Sequence, residues 1–150
     1  MQYLSIEEVM LKIQSGHRIY VQGMSSTPHH LMEGIAVRGR ELENVNLYHL
    51  HLEGPTPWIH PDLVGKVHDI SLFVGANLRD AVNDGRASYV PLFLSEVPWF
   101  LTQPQFHPNV VLLNVSPPDR HGYVSLGPTL EATLAAINQA DLVIAHQHLT

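Results

Sequence analysis

Cysteine is absent from all 150 residues. That excludes a disulfide scaffold, a thiolate nucleophile and any metal site built on sulfur ligands. Charge is also sparse, at 15% of residues with a formal net charge of -6, and Lys and Arg form no cluster. Nucleic acid and anionic membranes would find little to attract them, so neither is expected as a partner. No run approaches the roughly 18 apolar residues of a membrane span. The start, Met1-Gln2-Tyr3-Leu4-Ser5, lacks the basic and apolar regions of a secretory signal, which makes a cytoplasmic location the default expectation. Walker, GxGxxG, HExxH and GxSxG patterns are missing too. Nucleotide-triphosphate, dinucleotide, zinc-peptidase and serine-hydrolase chemistry lose their usual carriers.

What is present suits one domain over residues 1–150, with 45% hydrophobic residues to build a core. Ser5 with Glu8 reads as a capping box opening a helix that buries Val9, Met10 and Ile13 before Gly16 ends it. Residues 18–23 alternate as a strand; Met24-Ser25-Ser26 is a short loop, and Thr27-Pro28 reads as an N-cap followed by proline in the first turn of a helix through Leu31, Met32, Ile35 and Ala36. Strands are predicted at 45–52, 70–74, 89–93, 110–115 and 142–145, with helices closed by Gly39 and Gly85. A cap at Asn77, a helical turn capped by Ser95, and a helix over 128–139 with Leu130, Leu134 and Ile137 inward complete the series. Strand and helix alternate throughout. The expected fold is α/β, an open, mostly parallel sheet with helices on both faces, whose ligands would sit at strand C-termini.

The densest chemistry follows the apolar strand 110–115: Ser116-Pro117-Pro118-Asp119-Arg120-His121-Gly122-Tyr123-Val124-Ser125-Leu126-Gly127. Two prolines cannot continue a ladder, so the polar groups collect at the sheet's edge. Asp119 could orient the His121 imidazole, although an ordinary loop would use the same residues. Gly23-Met24-Ser25-Ser26-Thr27 leads into a helix start, whose free amides favour a carboxylate, phosphate or thioester oxygen. Thr27 and Asn77 could equally be plain caps. Eleven histidines raise a metal question, with His49 and His51, or His146 and His148, sharing a strand face. No third ligand of defined geometry accompanies either pair, so no metal is expected and they read as surface residues. Glu53 ends a strand before Gly54 and could serve as a carboxylate nucleophile or simply be exposed. Glu96 and Glu131 read as first-turn helix acids.

Four ordered segments resemble the N-terminal domain of the acetyl-CoA hydrolase/transferase family, which includes acetate and 4-hydroxybutyrate CoA-transferases. They are Gly16-His17-Arg18-Ile19-Tyr20-Val21-Gln22-Gly23 leading to Thr27-Pro28; Phe73-Val74-Gly75-Ala76-Asn77-Leu78-Arg79-Asp80-Ala81-Val82; Tyr89-Val90-Pro91-Leu92-Phe93-Leu94-Ser95-Glu96-Val97-Pro98; and the run 116–127. The resemblance implies CoA transfer between carboxylic acids, or acyl-CoA hydrolysis, on two related α/β domains with the active site between them. It places the nucleophilic glutamate in a C-terminal domain. Carried over to this chain is a substrate-side role for Gly23, Thr27, Gly75, Ala76, Asn77, Ser116, Asp119, His121 and Gly122, and no catalytic residue. Coenzyme A and acyl-CoA are implied as substrates rather than bound cofactors, beside a small carboxylic acid. The expected partners are the C-terminal domain of the same enzyme and, compatibly, further copies of the chain.

Two departures accompany the match. Relatives continue with a Gln-Val-Asn type segment and a long second domain, where this chain has His146-Gln147-His148-Leu149-Thr150. An isolated domain, a fragment or a truncated gene product is therefore expected, inactive alone. The loop Gly23-Met24-Ser25-Ser26 also has fewer glycines than many relatives, which limits close backbone approach of a ligand.

Overall fold

Val110–Val115 (β5) is apolar toward both sides because both sides are covered: Val110 and Leu112 enter one core, Val111, Leu113 and Val115 the other. Around it the computed structural model, which describes residues 2–147, places β1 (Arg18–Val21), β2 (Val45–His49), β3 (Val67–Ser71), β4 (Ala87–Tyr89) and β6 (Leu142–Gln147). The sheet order is β4-β3-β2-β1-β5-β6, and every adjacent pair is parallel. Helices α1 (Ile6–Met10) and α2 (His29–Arg38) supply Met10, Leu31, Met32 and Ile35 to the first core; α4 (Val97–Phe100) and α5 (Thr133–Gln139) supply Val97, Phe100 and Ala136 to the second. Between them α3 (Arg79–Asn83) links β3 to β4. The expected α/β sheet with two covered faces is what forms.

Chain order dictates where a crevice can open. From β1 the chain steps outward through β2, β3 and β4, then returns to the other side of β1 with β5 and β6. The connections from β1 and β5 therefore lead to strands on opposite sides of the sheet, which makes this the topological switch point of a doubly wound sheet.

Several boundaries differ from expectation. The Ser5–Glu8 capping box forms as read, with Ser5 N–H donating to Glu8 at 2.8 Å and Glu8 N–H to Ser5 Oγ at 3.2 Å. β3 begins and ends three residues early, because Asp69 and Ser71 are buried polar residues and the apolar Phe73 is outside and exposed. β4 stops at Tyr89 since Pro91 cannot donate to a ladder. The helix expected over 128–139 forms only from Thr133, after a left-handed Glu131 at φ 44°; Leu130 and Leu134 are exposed, while Ala132, Thr133 and Ala136 face inward. Glu131 is thus no first-turn helix acid. Ser95 caps nothing: Leu94–Glu96 is a 3-10 turn in which the Glu96 carboxylate accepts from Phe93 N–H at 3.0 Å. Among the described residues no helix is long and apolar enough to cross a membrane.

Candidate functional site

The turn leaving β1 is anchored by a buried amide. Gln22 Nε2 donates to the carbonyls of Leu126 at 2.7 Å and Thr129 at 3.0 Å, and its Oε1 accepts from Asn114 N–H at 2.9 Å. Asn114 Nδ2 donates onward to the carbonyls of Ser26 and Thr27, and Ser25 shares a 2.8 Å hydroxyl bond with Thr129. The segment after β5 consequently crosses the β1 turn as a strap. On its other side the turn joins β2: Met24 N–H donates to the His51 carbonyl at 2.6 Å, and Met24 bridges Leu52. Met24 itself is left-handed, at φ 54°.

His51 is the hub of the sequence-predicted residues. Gly23 lies so close to the His51 carbonyl that a Cβ there would overlap it, and the same Cβ would stand 2.8 Å from Glu131 Oε2. A Cβ on the buried Gly75 would meet the His51 ring at 3.2 Å and Asn77 Oδ1 at 2.8 Å. The ring leans on Phe73, 5.6 Å between centroids, and its Nε2 pairs with Glu53 at 2.9 Å. Asn77 does not cap a helix. Its Nδ2 donates to the carbonyls of Leu52 at 3.0 Å and Gly54 at 2.9 Å, while Gly75 occupies the N-cap position of the 3-10 turn Ala76–Leu78. Thr27 does not cap α2 either, where Pro28 is the N-cap; its buried hydroxyl donates to the Met24 carbonyl at 2.7 Å and accepts from Glu53 N–H at 3.1 Å. Gly23, Thr27, Gly75, Ala76 and Asn77 thus belong to one group of loops ending β1, β2 and β3.

Ser116, Asp119, His121 and Gly122 build a second unit. Ser116 N–H donates to the Ser125 carbonyl and Ser116 Oγ accepts from Ser125 N–H, each at 2.9 Å, and Asp119 Oδ1 accepts from the N–H groups of His121 at 2.8 Å and Tyr123 at 2.9 Å. Gly122, at φ 83°, supplies the reversal. Asp119 therefore organises the turn's backbone and does not orient the imidazole, which accepts from Arg120 Nε at 3.0 Å. The turn is exposed and its bonds are internal. Its link to the first group is the strap, where Gly127 lies beside Ser26 Oγ.

Sequence reading missed three features. His49 is no surface residue: it is fully buried, as are Asp69 and Ser71, and Asp69 accepts from His49 Nε2 at 2.8 Å, Trp58 Nε1 at 2.7 Å and Ser71 Oγ at 2.8 Å. Burial alone would raise the Asp69 carboxyl; the facing His49 and the three hydrogen bonds outweigh it and hold the group below its usual value. An Asp inside an otherwise strand-like run was the available signal. Gln22 is the second. The third is Glu131, whose carboxylate meets Gly23; burial raises its pKa, against the opposing pull of the Gly23 N–H, His49 and His51. Beside it, the buried Tyr20 hydroxyl is raised by burial and then by the Glu131 charge. Among the described residues no group of three His, Asp or Glu side chains is arranged to hold a metal; His148 lies outside them.

An open groove of about 860 Å³ lies elsewhere, between the N-terminal segment and the β5–β6 edge, and takes only Ser116 from the predicted residues.

Comparison with known proteins identifies a family. The family model for the acetyl-CoA hydrolase/transferase N-terminal domain matches residues 1–148. The chain is 38% identical over 135 residues to a succinyl-CoA:acetate/propanoyl-CoA:succinate CoA transferase of Fasciola hepatica, spanning 89% of this chain and 28% of that protein. Against the 4-hydroxybutyrate coenzyme A transferase of Clostridium kluyveri it is 30% identical over 142 residues, covering 95% of this chain and 33% of the relative. The chain therefore spans about a third of the length of the curated relatives it matches. Among solved structures, RipA from Yersinia pestis superposes with TM-score 0.79 at 22% identity, over 95% of this chain and 35% of that one. A 4-hydroxybutyrate CoA-transferase from Porphyromonas gingivalis gives TM-score 0.74 at 22% identity, over 95% and 32% of the two chains.

Proposed function

The chain belongs to the acetyl-CoA hydrolase/transferase family as its N-terminal domain, and from that premise we propose that it forms the substrate-side wall of an active-site cleft in an acyl-CoA:carboxylate CoA-transferase or acetyl-CoA hydrolase. The observation that carries this reading is the packing of Gly23 and Gly75 against His51, with Asn77 tied to the adjoining Leu52 and Gly54, at the C-terminal edge of a doubly wound sheet, where such folds bind ligands. Roles divide by what each group has free. Both Asn77 Nδ2 bonds and the Thr27 hydroxyl are engaged within the protein, and the buried Gly23 and Gly75 pack against His51, so these four shape the wall, with Ala76 exposed beside them. Ser116, Asp119, His121 and Gly122 form the facing lip.

The covalent work falls to a glutamate of a C-terminal domain, as the family resemblance implies. Its carboxylate attacks the thioester carbonyl and expels the CoA thiolate, leaving an acyl-glutamyl anhydride. The thiolate then attacks the glutamyl carbonyl, which releases the first carboxylate and leaves a glutamyl-CoA thioester for the second acid. On this reading acyl-CoA and a small carboxylic acid are the substrates, no resident cofactor is required, the C-terminal domain is the essential partner, and homo-oligomers are compatible. The 150-residue chain is inactive by itself.

Calorimetric titration of the chain with acetyl-CoA and with acetate is the test. Saturable heat with acetyl-CoA and no turnover are expected; no heat with either ligand overturns the binding role. Robust CoA transfer by the chain that survives Glu53→Ala would remove the need for a second domain.

A further inference from the structure

The group on the switch-point turn least explained by packing is Glu131. It is a non-glycine residue in left-handed conformation, at φ 44°, directly before α5. Such strain persists only where the surroundings over-determine it, and it concentrates at functional sites. Both carboxylate oxygens lie within 3.1 Å of where a Gly23 Cβ would be, and the Gly23 N–H favours the ionised form. Its own Oε2, the Tyr20 hydroxyl and Thr133 Oγ1 are buried without a hydrogen bond of ordinary geometry, the last two facing one another. A fold selected only for stability would have filled this place with apolar atoms.

We infer that Glu131 is a positioning residue, whose carboxylate packs against the Gly23 backbone where a side chain would otherwise stand and thereby sets the Gly23–Met24 turn that faces the crevice. The strap makes this mechanically direct. Gln22, Ser25 and Asn114 already pin the two segments together on either side of Glu131's contact, so the carboxylate acts on a turn with little other freedom. Met24, left-handed and 41% exposed, is the side chain whose direction the contact decides. The groups facing Glu131 are Tyr20 from β1, and His49 and His51 at the end of β2, with His51 paired to Glu53. Gain of a proton by Glu131 removes the charge from the Gly23 contact and loosens the turn.

Nuclear magnetic resonance of the free chain tests the positioning role without any ligand. In the 150-residue chain, the Gly23 amide resonance is expected to follow a single titration with its midpoint above the ordinary glutamate value, absent in Glu131→Gln and retained in Glu131→Asp. A Gly23 resonance without that step in the wild-type chain, or with the step intact in Glu131→Gln, overturns it; the wild-type experiment stands even where the variants fold poorly. A second reading rests on the proposed CoA role. Glu131→Gln should weaken acetyl-CoA binding by roughly tenfold at neutral pH and make it insensitive to pH between 4 and 7, whereas unchanged affinity overturns the positioning role. A titrating Gly23 in a chain that binds no acetyl-CoA leaves the inference standing and removes the functional reading instead.

Discussion

Two carboxylates in this protein, the buried Asp69 and the half-buried Glu131, respond to protons in opposite directions. Asp69 is held below its ordinary value by His49, Trp58 and Ser71, so its contribution to stability is complete above the unfolded-state pKa near 3.9 and is lost as pH falls through the lower folded value. Asp69→Ala removes the acceptor for three buried donors and is expected to cost about 3–5 kcal/mol at neutral pH. Urea denaturation measures this, and the gap to wild type should narrow in strong acid. Glu131 is raised, so its contribution is complete below the unfolded value near 4.3 and is lost as pH climbs through the folded value. Glu131→Gln should therefore raise the thermal midpoint at pH 7 and leave it nearly unchanged at pH 4, a stability gain at a residue assigned to function. Gly23→Ala is expected to cost about 1–3 kcal/mol, because its Cβ would press on the His51 carbonyl and Glu131 together. None of these three neighbourhoods is visible locally, since each joins residues from separate strands.

Elements differ in how plainly they announce themselves. β5 and the α1 capping box could be read directly, because an apolar run and a local hydrogen-bond pair carry their own signal. β3 could not: its inward Asp69 and Ser71 look like loop residues until Trp58 and His49 are brought against them. The segment before α5 was also misread, since helical spacing of Leu130 and Leu134 suggested an apolar face, whereas Leu130 lies in the strap and Leu134 points outward from α5. That strap depends on Gln22. Gln22→Leu leaves two carbonyls and one N–H without their partner, and is expected to cost about 3 kcal/mol and speed amide exchange across residues 126–131, measured by hydrogen–deuterium exchange.

At the scale of the whole molecule, two cores lie on opposite faces of one parallel sheet. Large apolar side chains nonetheless remain exposed after β3 and β4, Phe73 and Phe93 among them, with Trp99 on α4. On the proposed reading these are side chains that the C-terminal domain or a second copy would cover. The double variant Phe93→Ser, Trp99→Ser should leave stability within about 0.5 kcal/mol of wild type while reducing self-association or partner binding in sedimentation.

Amino-acid order by itself determined the alternation of strand and helix, the two-sided burial of the central strand, and the family, because each is written in neighbouring residues or in ordered segments. Tertiary structure alone decided that Thr27 and Asn77 tie loops together rather than cap helices, that His49 is buried against Asp69, and that Glu131 closes on Gly23. These are contacts across tens of residues, and a side chain's hydrogen-bonding partners, unlike its periodicity, exist only once the strands lie side by side.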